Sequence, residues 1–280
     1  MKAEEFFALL FTDYVGITPQ AARIFDLVQR RFGKVSNDHV AFRTFASGAL
    51  DLERLEQPFL RWGYRRDGFY EFPNKHLRAF SYVPAEDTLP LVFISELVVE
   101  ALSPAAQHFI TSALAAAELA SRSMAELLLG TRPWPLPTWQ QYEMLHRESP
   151  YAAWLSVWGL RANHFTVAVH DLPMRPTLRE LVADLKQAGY AMNEEGGLIQ
   201  GTPADHLEQA STLAELRPVR FRDGSTREIA SCYYEFAERH RLLDGTLYQG
   251  FVAQNANNIF ESTTVKLIPH GPVSPDAHHS

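Results

Sequence analysis

Two short stretches of this chain open a β-prone run with a histidine, and both carry side chains able to hold a metal ion. The first is Asn37-Asp38-His39-Val40-Ala41-Phe42-Arg43-Thr44-Phe45, the second Ala162-Asn163-His164-Phe165-Thr166-Val167-Ala168-Val169-His170. Side chains alternate along a strand, so His39, Ala41, Arg43 and Phe45 share one face. A neutral imidazole on such a face can ligate a divalent cation, and a guanidinium beside it can grip a carboxylate through two parallel hydrogen bonds. One strand of this kind is commonplace, because a strand histidine is more often a hydrogen-bonded core residue than a ligand. Two of them, one in each half of the chain, suggest a duplicated module.

A carboxylate of the same kind stands in Tyr233-Tyr234-Glu235-Phe236, within a run aromatic enough to be buried. Burying a carboxylate is costly unless it is paired or bound to metal. His39, His164 and Glu235 together make the two-histidine, one-carboxylate set of non-haem Fe(II) oxygenases, which leaves positions open for substrate and dioxygen. The competing structural reading pairs Glu235 with Arg227 or Arg239 across a hairpin. Glu96 is expected to be the pseudo-symmetric partner of Glu235, close to the site but outside the ligand set, accepting a hydrogen bond from a ligand histidine or from water. His170 shares strand parity with His164 but lies about 20 Å further along, too far to share an ion. No glycine-rich phosphate loop or Gly-x-Ser-x-Gly elbow occurs, so nothing supports a kinase, dehydrogenase or serine hydrolase.

Positioning these residues takes two similar units. Helical spacing covers residues 4–15, and a second helix starts at Thr18-Pro19 and closes at Gly33. The His39 strand follows, then a helix near 50–62 and strands near 68–72, 78–83 and 91–99. Residues 103–129 read as helical, 132–137 as a proline-stiffened connector, and Thr138 caps a short helix. After the His164 strand come an amphipathic helix over 177–189 and strands near 198–202, 211–220 and 227–239. Arg222-Asp223-Gly224-Ser225 is the hairpin turn between the last two. The pattern predicts an α+β fold of two βαβββ modules, about 34–100 and 160–240, with a helical insert at 103–158. A C-terminal segment over 246–280 ends in a loose tail from Pro269, and the whole chain, 1–280, forms a single catalytic domain.

Of the 280 residues 46% are hydrophobic, enough for a substantial core, and the net charge of −7 without a dense basic cluster argues against nucleic acid as a partner. The only cysteine, Cys232, excludes an internal disulfide and a multi-cysteine zinc site. The N-terminus lacks a secretory signal pattern, and the most apolar stretch, 89–102, is cut by two glutamates and too short to span a bilayer. A cytoplasmic protein without a membrane partner is expected.

Asp38-His39-Val40-Ala41-Phe42-Arg43-Thr44, Asn163-His164, Tyr233-Tyr234-Glu235-Phe236 and Ile259-Phe260-Glu261-Ser262-Thr263 occur in this order. Together they resemble the 2-oxoadipate dioxygenase/decarboxylase family, whose fold is similar to that of the vicinal oxygen chelate enzymes. The resemblance spans about 6–264. It implies a curved sheet around a metal site and an Fe(II) enzyme that uses dioxygen to turn 2-oxoadipate into 2-hydroxyglutarate and carbon dioxide. Position by position, it implies His39, His164 and Glu235 as metal ligands and Arg43 as the arginine that contacts the substrate carboxylate. The chain is shorter than the best-studied members, which leaves the 2-oxo acid itself open. Two other readings share the fold: a glyoxalase-like isomerase or lyase with Glu96 as a fourth ligand, and a metal-free small-molecule-binding protein. The oligomeric state is not legible in the sequence.

Overall fold

The computed structural model describes residues 1–119 and 122–264. The expected tail from Pro269, and most of the second half of the C-terminal segment, lie outside the described residues. Ten α-helices are described: α1 (Ala3–Ile17), α2 (Pro19–Phe32), α3 (Leu52–Leu55), α4 (Gln57–Arg61), α5 (Pro104–Ala115), α6 (Met124–Leu128), α7 (Trp139–Glu148), α8 (Pro150–Trp158), α9 (Leu178–Gln187) and α10 (Ala253–Ile259). The strands are β1 (Asn37–Phe45), β2 (Arg65–Phe72), β3 (Leu77–Val83), β4 (Leu91–Leu97), β5 (Ala162–Ala168), β6 (Leu207–Ser211), β7 (Leu216–Arg220), β8 (Thr226–Ala230) and β9 (Tyr233–Arg239).

Seven strands form one sheet in the order β2-β3-β4-β1-β5-β9-β6. Strands of the two halves meet only at the centre, where β1 runs antiparallel to β5. On either side of that seam the pairing repeats: β1 is parallel to β4, and β5 is parallel to β9. This is the two-module, vicinal oxygen chelate-like arrangement that the sequence implies, with helices added around it. The second module is the thinner one. Where the first adds β2 at the edge, the second has only the isolated bridges Gln200–Gln209 and Met192–Thr212 among the described residues, so the strand expected at 198–202 is reduced to one pairing.

The strand expected at 211–220 is reduced to β7, with Ser211 ending the separate β6, and the one expected at 227–239 divides into β8 and β9. β7 and β8 leave the main sheet as a separate hairpin around the Arg222–Ser225 turn, while β6 and β9 stay in it. Proline 218 explains why β7 suits a two-stranded ribbon, since it lacks the N–H that a central strand must donate. The helix expected over 50–62 is likewise split, into α3 and α4, with Pro58 within the first turn of α4. Thr18 precedes α2 as expected, but its hydroxyl makes no capping hydrogen bond. Thr177 caps α9 in a reciprocal capping box with Glu180, and α9 buries Leu178, Leu181, Val182 and Leu185 as its periodicity predicts.

Both faces of the central strands are covered. α1 lies over one face, packing Phe11 and Tyr14 on Phe165 and Tyr14 on Tyr234. The other face carries His39, Arg43, His164 and Glu235, and the chain around α10 closes over it with Phe251 and Phe260.

Candidate metal centre and substrate pocket

β1 and β5 bring the two histidines together through simple register. Ala41 pairs with His164, so His39, two residues earlier on the same face, stands diagonal to it. Diagonal neighbours across an antiparallel pair are within reach of long side chains. Their Nε2 atoms lie 3.3 Å apart. Glu235 enters from the next strand, since β9 pairs Glu235 with Thr166. Its Oε1 stands 3.4 Å from His39 Nε2 and its Oε2 3.2 Å from His164 Nε2. The three residues are 2%, 5% and 1% exposed, so water does not screen the group. Two ligand atoms at about 2.1 Å from one ion lie roughly 3.0–3.6 Å apart for bond angles between a right angle and the trigonal value. The observed separations fall inside that range.

Each histidine has its other nitrogen held by the residue just before it. His39 Nδ1 is 2.7 Å from Asp38 Oδ2, and His164 Nδ1 is 3.1 Å from Asn163 Oδ1. A carboxylate and an amide oxygen only accept, so each Nδ1 is the donor and each Nε2 presents a lone pair to the centre. Asp38 is itself ionised. Burial opposes its charge, but the Arg239 guanidinium and the His39 ring outweigh it and hold the carboxyl well below the usual carboxylate range. Gln209 Nε2 donates to Glu235 Oε1 at 2.7 Å, and Asn255 Nδ2 of α10 donates to Gln209 Oε1 at 3.2 Å, which sets the amide's orientation.

Two imidazole lone pairs and a carboxylate converging in a dry pocket repel one another unless a cation joins them. Burial, opposed by His39 and the Gln209 hydrogen bond, raises the Glu235 carboxyl above its ordinary value. Burial and then the neighbouring His39 and Arg43 push the His164 imidazole well below its own. A bound divalent ion reverses the sign of both effects. The donor set of two nitrogens and one carboxylate oxygen therefore fits a transition-metal ion. Among the described residues, the side chains that could share one ion here are these three.

Arg43 is on the same face, two residues beyond Ala41, and is 2% exposed. Its guanidinium lies over the rings of Trp154, Tyr151 and Phe260 at 4.8, 5.0 and 5.7 Å. Nη1 and Nη2 both donate to Thr263 Oγ1 at 3.2 Å, and Nε has no partner among the described residues. Neither Asp38 nor Glu96, the two acids that could have paired with it, does so. Arg43 instead lines a cavity of about 210 Å³ together with Lys75 and Glu261, which form an ion pair with each other. The Phe260 ring borders both this cavity and the His39–His164–Glu235 cluster.

Glu96 does not stand near the cluster, contrary to the expectation from pseudo-symmetry. It pairs with Thr44 in register, which turns it to the opposite face of the sheet from His39. There its Oε2 accepts from Leu52 N at 2.9 Å and its other oxygen takes Arg78 Nε. The residue equivalent to Glu235 is Phe93: β9 places Glu235 two residues past the partner of His164, and β4 places Phe93 two residues past the partner of His39. Glu235 pairs with neither Arg227 nor Arg239. His170 is in a 3-10 turn after β5 and accepts from Arg239 N.

Sequence reasoning missed Gln209, Phe251 and Thr166, whose hydroxyl is 3.1 Å from His39 Nε2, and offered Arg239 to Glu235 when its partner is Asp38. The Asx-His doublets at 38–39 and 163–164 were a usable signal for the histidines' orienting partners. Gln209 had none, because its contact depends on β6 lying beside β9.

Comparisons with known proteins point to one family. A family model described as 2-oxoadipate dioxygenase/decarboxylase matches residues 28–246. The chloroplastic 2-oxoadipate dioxygenase/decarboxylase of Arabidopsis thaliana is 34% identical, over 94% of this chain and 79% of the relative. The solved structure of hydroxyglutarate synthase from Oryza sativa in complex with 2-oxoadipate is 32% identical with a TM-score of 0.86, over 92% of this chain and 91% of that one. A solved structure from Shewanella frigidimarina that carries a provisional hydrolase name is 39% identical with a TM-score of 0.84, over 90% of this chain and 98% of that one.

Proposed function

The chain belongs to the 2-oxoadipate dioxygenase/decarboxylase family, and from that membership we propose an Fe(II)-dependent oxygenase whose substrate is a 2-oxo dicarboxylic acid, 2-oxoadipate first. Its reaction joins the 2-oxo acid and dioxygen, releases the carboxylate next to the keto group as carbon dioxide, and leaves 2-hydroxyglutarate. The observation that carries the proposal is the convergence of His39, His164 and Glu235, whose ligand atoms all lie within 4.8 Å of one another. Iron held there would supply the activation of dioxygen that protein side chains cannot.

The chain's own residues do the rest. Asp38 and Asn163 keep both Nε2 lone pairs turned to the centre. Gln209 holds one oxygen of Glu235 and so fixes the carboxylate's rotation. Phe251 and Phe93 line the centre with hydrocarbon and keep bulk water from it, which strengthens every charge interaction inside. Among the described residues Arg43 is a buried cation without a counter-ion, and a substrate carboxylate in the cavity beside it would supply one. A compartment that keeps Cys232 reduced, the cytoplasm, is part of the same proposal.

The four-ligand, glyoxalase-like reading loses its support, because Glu96 faces the other side of the sheet. Anaerobic loading with Fe(II), followed by oxygen and a panel of 2-oxo dicarboxylates, tests the proposal. Equal uptake of oxygen and release of carbon dioxide with at least one of them is expected. Turnover of none of them, with one iron bound per chain, would sink it.

A further inference from the structure

We propose that the Tyr233 hydroxyl is a substrate-binding group, donating a hydrogen bond to an oxygen of the 2-oxo acid alongside the contact made by Arg43. This rests on the proposed function, since it takes the occupant of the site to be an oxo dicarboxylate.

Tyr233 is two residues from Glu235 on β9 and therefore on the same face of the sheet. Its ring lies against the ligand imidazole of His164, with centroids 4.6 Å apart and planes at 27°. It borders the space around the cluster together with His39, Phe93 and Glu235. The residue is fully buried, and the apolar side chains packed with it are Ala214, Ala230 and Ile259, none of which can accept a hydrogen bond. Its hydroxyl has no partner among the described residues.

A buried hydroxyl without a partner is destabilising, and a phenylalanine would fill the same volume without that penalty. The second unpaired donor on this face is Arg43 Nε. Both groups have a proton to give: the guanidinium only donates, and a neutral phenol, which can also accept, donates most strongly to an anionic or carbonyl oxygen. Two unmet donors beside three metal ligands select an acceptor-rich anion, which a 2-oxo dicarboxylate is. The ring's stacking on His164 holds the hydroxyl at a fixed position relative to the metal ligands, so the hydrogen bond would also orient the bound acid.

Tyr233→Phe removes the hydroxyl and keeps the ring. Binding of 2-oxoadipate is measured calorimetrically on anaerobic Fe(II)-loaded protein, with metal content and the ligand-free Tm measured in parallel. The expected result is a loss of affinity on the order of tenfold, unchanged metal content, and a ligand-free Tm equal to or above that of the parent protein. Tyr234→Phe is the comparison, because its hydroxyl is also unpartnered but lies on the opposite face; its affinity should not change. Unchanged binding by Tyr233→Phe overturns the assignment, as does an equal loss in Tyr234→Phe. A lowered ligand-free Tm with intact affinity overturns it too, and marks the hydroxyl as structural. If the parent protein binds no 2-oxo dicarboxylate at all, the reading of the site fails and the Tyr233 assignment with it.

Discussion

Arg239 holds Asp38 through two parallel hydrogen bonds, Nε to Oδ1 at 2.7 Å and Nη2 to Oδ2 at 2.9 Å, joining the end of β9 to the start of β1. Both partners are almost fully buried, and Asp38 in turn orients His39. Removing one partner of a buried pair leaves the other charge uncompensated, which costs about 3–5 kcal/mol. Arg239→Met should therefore lower stability by that order in urea titration. It should also weaken metal binding by roughly 10–100-fold, because the support behind a ligand histidine is lost. Unchanged metal affinity would show that His39 is oriented without this chain of contacts.

For Arg43, lysine keeps the charge but loses the planar fork and the stacking on Trp154 and Tyr151. Arg43→Lys should raise KM for the 2-oxo acid by about tenfold to a hundredfold, the range of a lost charge-assisted hydrogen bond, with iron content intact. If KM and kcat both stay where they were, Arg43 serves the fold rather than the substrate.

Glu96 gives the converse expectation. Its carboxylate ties the start of α3 and Arg78 to β4, on the face away from His39, His164 and Glu235. Glu96→Gln should leave iron content and KM alone and cost about 1–2 kcal/mol of stability, as expected for hydrogen bonds to a charged acceptor. Loss of iron in this variant would contradict the register described above.

Burial pushes the Cys232 thiol up to about 12. In the unfolded chain a thiol ionises near its ordinary value of about 8.5. Between those values the unfolded state has lost a proton that the folded state keeps, so stability falls as pH rises. Near pH 10 the deficit is about 2 kcal/mol, and Cys232→Ala should be free of it. Stability of the two proteins measured at pH 7 and pH 10 checks this, and the native thiol should resist alkylation at pH 8.

The sequence exposed most of what is local. His39 and His164 stood out because each opens a β-prone run behind an Asx residue, and Glu235 because a carboxylate sits among aromatic residues. α9 was legible from its capping residue, its stripe of leucines and its closing glycine. The position of Glu96 was not, because a pseudo-symmetric partner has to be found by counting from a paired residue rather than from the end of a strand. An error of three residues reverses the face. The departure of β7 and β8 from the main sheet was equally hidden, since one long β-prone run and two shorter strands have the same periodicity. Arg43 could be placed on the correct face by parity, yet its aromatic surroundings come from α8 and from Phe260, far away in the chain.

Phe93 in the place of a second glutamate has a consequence for how many bonds the protein can offer an ion. Two identical halves would have presented four side chains, an imidazole and a carboxylate from each, and a tetrahedral ion so surrounded has no vacancy. The symmetry is broken at this one register position, where a hydrocarbon ring faces the centre instead of an oxygen. The duplication supplies matched imidazoles, and the mismatch leaves a bound ion one protein donor fewer, a position that a small molecule would fill.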